Sequence, residues 1–147
     1  MSAASGNAFE LAGIYVGETT LADLFSRFAA DALEDAPELN TPASIKRGIR
    51  RVSIDADAAK LEVLGGVVET LLVECVDDTV AVLHGFFGGD AVASVRSALA
   101  ERHGAAGDDM WETALIQAYV TDEDGVGAFV VCHKALTAEL ERRMEGV

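Results

Sequence analysis

The chain is short of positive charge, proline, cysteine and tryptophan. Its 147 residues carry 11 Lys and Arg against 25 Asp and Glu, for a formal charge of −14. A field of that sign repels phosphate, which argues against nucleic acid and anionic membrane surfaces as partners. Two cysteines, Cys75 and Cys132, are too few for a disulfide scaffold, and each sits in an apolar stretch where a free thiol acts as a small hydrophobe. Long hydrophobic runs are missing as well. Glu62, Glu69, Glu74 and Asp77 interrupt the most apolar region well before the ~20 residues of a membrane span. Met1 to Asn7 carries neither the basic nor the apolar region of a signal peptide. These absences together lead us to expect a soluble, cytoplasmic acidic protein with reduced thiols.

What is present is apolar material: half of the residues are hydrophobic, enough for one core at this length. Residues 1–7 read as a loose tail and 8–147 as a single globular domain. With only two prolines to interrupt helices, the spacing predicts an all-α domain of six or seven helices. Leu21, Leu24, Phe25, Phe28, Ala32 and Leu33 mark a helix over 20–35. Thr41-Pro42 reads as an N-cap and first helical residue for a second, whose face continues through Ile45 and Ile49 to about residue 51. Leu61, Leu64, Val67, Val68, Leu71, Leu72 and Cys75 predict a central helix, kinked at Gly65-Gly66.

Asp90 to Gly104 and a segment capped by Asp108 or Asp109 through Tyr119 are read as two more helices, and 126–144 as the longest. The stretch 79–87 fits strand and helix equally. The competing architecture is α+β, with a hairpin near 113–133 in which ALIQAYV turns at DEDG into AFVVCH.

Candidate chemistry is sparse. Neither the histidines nor the cysteines have the spacing of a zinc site, Cys132-His133 diverge on a helix, and DEDG lacks the spacing of a calcium loop, so no metal or cofactor is expected. The glycines of HGFFGGD precede a helix start without the order of a phosphate-binding loop, and Asp90 stands where phosphate would sit.

One segment departs from the acidic background. Residues 44–60 have a net charge of +3, and helical spacing would gather Lys46, Arg47, Arg50 and Arg51 into one cationic face. That face is a candidate for docking onto acids of the chain itself or of a second copy. The leading expectation is a non-enzymatic binding module that recognises a basic protein surface or another copy of itself. The alternative is a small enzyme or ligand-binding domain with an apolar pocket lined by His84, Phe86, Phe87, Trp111 and Tyr119.

Overall fold

A computed structural model describes residues 11–28, 30–35, 40–61, 63, 66–104 and 110–145. The expected tail at 1–7 and the capping candidates Asp108 and Asp109 lie outside them. Seven strands form one antiparallel sheet: β1 (Leu33–Asp35), β2 (Ile49–Asp55), β3 (Thr70–Val76), β4 (Thr79–Gly88), β5 (Met110–Glu112), β6 (Ile116–Glu123) and β7 (Val126–His133). Their spatial order is β1-β2-β3-β4-β7-β6-β5. Four helices accompany them: α1 (Leu21–Arg27), α2 (Pro42–Lys46), α3 (Val92–His103) and α4 (Lys134–Met144). The architecture is therefore α+β, which overturns the all-α expectation and the helical character read from the spacing.

The corrections follow the chain. The helix expected over 20–35 begins where read, with Thr20 and Asp23 exchanging the two bonds of a capping box, but ends at Arg27. Phe28 is extended, Ala30–Ala32 form a 3-10 turn, and Leu33–Asp35 pairs with Val52–Ile54 as the edge strand β1. Thr41 and Pro42 do start α2, yet it lasts one turn. Gly48 at φ +79° reverses the chain into β2, and a Cβ there would meet Asp77 and Arg143.

The predicted central helix over 61–76 is replaced by the strand β3, and 79–87 falls within β4. Residues 110–119 give β5 and the first half of β6 instead of a helix. The stretch 126–144 is divided between β7 and α4, so the hairpin alternative is the pairing found, Ile116 opposite His133 through Glu123 opposite Val126. Asp90 to Gly104 keeps its helix, as α3 preceded by a single 3-10 turn over Gly89–Ala91.

The sheet is apolar on both faces. On one face Val52, Leu71, Val73, Leu83, Phe129 and Val131 pack against Leu11, Ile14 and Val16, α1 and the Val92, Val95 and Leu99 stripe of α3. The other face carries a smaller cluster of Ile49, Val76, Ala81, Val82, Val130 and Cys132 beneath Leu136, Leu140 and Met144 of α4. His133 turns the chain from β7 into α4: its Nδ1 accepts the Leu136 N–H at 3.2 Å and caps the helix. At the other end of α4, Arg143 holds both Asp77 oxygens at 2.8 Å and donates to the Arg47 carbonyl, tying the helix to two turns of the sheet. Among the described residues no helix is long and apolar enough to cross a membrane.

Candidate functional site

Strand alternation puts Arg51, Glu74 and His84 side by side on the α4 face, one from each of β2, β3 and β4. Glu74 stands directly across from Arg51, whose Nε–H donates to its Oε2 at 3.0 Å, while its Oε1 meets His84 Nε2 at 2.8 Å. The Glu74 side chain is 17 % exposed and those of Arg51 and His84 are 11 % and 21 % exposed. Burial pushes the Glu74 carboxyl up, but the hydrogen bonds and charges of His84 and Arg51 outweigh it and hold the group below its usual range.

The His84 ring lies parallel to Phe86, centroids 5.7 Å apart. Among the described residues no hydroxyl or thiol hydrogen-bonds to His84. Cys132 is buried on the same face, where burial raises its thiol against the lowering effect of Thr137 and Tyr119, so it is held as an uncharged thiol. This trio acts as a satisfied polar island in a sheet surface and supplies no poised nucleophile.

At the end of the sheet away from α4, three adjoining cavities of about 370, 240 and 240 Å³ share Thr70. They form a groove across the sheet end. Asp55, Asp57 and Glu69 line one part, Asp31, Glu34 and Ser53 another, and Phe86, Gly88 and Val126 the third. Among the described residues no cationic side chain forms an ion pair with any of these five carboxylates. A groove of this kind concentrates negative potential between low-dielectric walls. Among the described residues no three His, Cys, Asp or Glu side chains are grouped to hold a metal ion.

The residues singled out in the sequence are dispersed. Lys46 ends α2 and Arg47 caps it, both exposed, with Arg47 donating to the Arg143 carbonyl. Arg50 and Arg51 alternate along β2. Arg50 lies over the Phe25 ring of α1 at 5.3 Å on one face, and Arg51 pairs with Glu74 on the other. The four do not make one cationic surface, because the segment that carries the last two is a strand.

His84, Phe86 and Tyr119 share the α4 face. Phe87 and Trp111 belong to the opposite core, where the Trp111 indole meets Phe129 edge-on and donates to the Gly104 carbonyl at 2.9 Å. Two features escaped the sequence reading: Glu74 between its partners, and the groove. With strand period, Glu74 falls on the face of Leu72 and opposite Arg51, which is the signal that a helical reading of 61–76 conceals. The groove has no local signal, since its carboxylates come from three separate stretches of the chain.

No protein-family model matches the chain, and neither a curated protein nor a solved structure matches it.

Proposed function

We propose that the chain is a non-enzymatic binding module that captures a positively charged protein partner on the α4 face of its sheet. The observation that carries this reading is the groove, five carboxylates with no cationic partner among the described residues, beside the apolar side chains of Phe86 and Val126. A net charge of −14 would speed the encounter with a cationic surface, and the groove would fix where it lands. Free Cys75 and Cys132 fit a reducing compartment such as the cytoplasm. A second copy is the weaker occupant, because it brings the same charge to the same rim.

The test is titration of the full chain with a fluorescent Lys-rich peptide at low and at moderate salt. Binding is expected to weaken as salt rises, and the double variant Asp55→Asn/Glu69→Gln to lose about two- to tenfold in affinity, the worth of two partly exposed charge pairs. Asn at 55 keeps the oxygen that accepts the Asp57 and Ala58 N–H groups, so the turn survives the change. Equal affinity of the variant and the parent chain would remove the groove from the reading.

A further inference from the structure

Resting on that reading, the face itself carries information about the form of the partner. Among the described residues, the helical side chains in its apolar cluster come from α4 and lie with Ile49, Val76 and Ala81. Toward the groove no helix among the described residues packs on the same face. There Leu72, Phe86 and Tyr119 are half-buried, and Met110 and Val126 are 37 % and 51 % exposed. Leu72, His84, Val130, Tyr119 and Met110 occupy one continuous row across five strands, each directly opposite the next. Phe86 and Ala128 lie in the row beside it.

The five strands of this row, from β3 to β5 in spatial order, are separated by four gaps of about 4.8 Å, so this strip is about 19 Å across. A helix of about 13 residues has that length. The main-chain groups of β3, β4, β7, β6 and β5 are engaged with one another along this strip. A segment lying on the face therefore gains no main-chain hydrogen bonds from the sheet, and over apolar ground it must satisfy its own. A helix does this and an extended peptide does not. α4, on the same face, is covered in the same way by its own hydrogen bonds. The Arg51, Glu74 and His84 island does not oppose such cover, since its polar atoms already bond to one another. The source follows from charge: the groove borders this strip, and the chain as a whole is strongly negative.

We infer that the half of the α4 face that no described helix covers receives a basic amphipathic helix of a partner protein. Its apolar stripe lies on Leu72, Phe86 and Tyr119, and its Lys and Arg side chains reach the groove.

Three fluorescent peptides of identical Leu and Lys composition test this against the full chain at about 150 mM salt, where long-range attraction is screened. One has the helical period, one alternates strictly, and one is scrambled. The helical peptide is expected to bind at least about tenfold more tightly than the scrambled one, from the apolar area it buries. Leu72→Lys and, separately, the exposed Val126→Lys should each reduce that preference while leaving circular dichroism and Tm unchanged. The Val126 variant keeps the test valid should Leu72→Lys disturb folding.

Equal, salt-sensitive binding of all three peptides overturns the helix and leaves the electrostatic reading standing. Absence of binding by any of them overturns both. Preference for the alternating peptide assigns an extended partner and overturns the helix. Sedimentation as a dimer that must dissociate before the peptide binds assigns the face to a second copy. Binding that emerges only on removal of residues 1–10 assigns it to the start of the chain itself. Either result overturns the proposal.

Discussion

Glu74 organises the middle of the open face, because its two oxygens hold side chains from the strands on either side. Glu74→Gln is expected to cost about 1–3 kcal/mol at pH 7, the range for a shielded hydrogen bond to a charged group. The acid response has a definite sign. A carboxyl held below its ordinary value stabilises the fold fully above that value, near 4.5, and loses the contribution as pH falls further. The Tm difference between parent and variant should therefore be constant from pH 7 to 5 and shrink below 4.5. A difference independent of pH would mean that the carboxylate charge is not what Arg51 and His84 recognise. Asp77 and Glu139 share this sign through Arg143 and Arg142, Glu139 being held at about 2, so the parent should lose stability progressively below pH 4.5.

The thiols obey a simpler rule. Cys75 is fully buried and pushed up to about 12, and Cys132 is raised by its own burial. They belong to clusters on opposite faces of the sheet and cannot approach each other to form a disulfide. A thiol reagent at pH 8 should label neither in the folded chain and both in denaturant. A rapid native labelling phase of one equivalent would contradict the packing.

At the scale of elements, the sequence disclosed turns and caps better than it disclosed strands. The Thr41-Pro42 helix start and the turn before Val126 are local chemistry and stand where the sequence puts them, as does the first residue of the helix over 20–35. The strands were obscured by two physical effects. Both faces of the sheet are apolar, so β3 and β7 lack the polar alternation that marks a half-buried strand, and their near-continuous hydrophobicity imitates a helix. In β4 the register slips: Glu74 pairs with Val82 and Cys75 with Val80, leaving Ala81 as an extra residue.

That bulge puts Val80 and Leu83 on one face, three residues apart, and Phe87 follows four later. A helical stripe is thus written into a strand. The candidate residues suffered from the same ambiguity. Arg50 and Arg51 are neighbours on a helix surface but opposites on β2, and Phe86 and Phe87 separate likewise. Packing between the elements can be tested at Gly127 of β7, where an added Cβ would stand 2.3 Å from Phe87 Cε1 and 2.9 Å from Val92 Cγ2. Gly127→Ala is expected to cost about 1–3 kcal/mol by overpacking. At about 2–4 °C per kcal/mol for a chain of this size, Tm should fall by roughly 2–12 °C. An unchanged Tm would show that Phe87 can move aside without loss.

For the whole molecule, like charges outnumber opposite ones, and the groove concentrates them. Raising ionic strength from about 10 mM to about 150 mM shortens the screening length from about 30 Å to about 8 Å. Tm should rise over that interval and then level off, because repulsion among distant carboxylates is screened before the close Arg143 pairs with Asp77 and Glu139. A falling Tm would mean that those pairs outweigh the repulsion.

The central ladder has a further consequence, in time. β2, β3 and β4 are each joined to the next by the nearest stretch of chain, and β5, β6 and β7 likewise, so each group can assemble from local contacts. The strand ladder that joins the two groups runs along Val82–Gly88 and Val126–Cys132, with all of α3, β5 and β6 in the intervening chain. Closing a loop of that length is slow compared with forming a hairpin. The seam between β4 and β7 should therefore set the pace of folding, and until it closes each half displays an unpaired edge to whatever lies nearby.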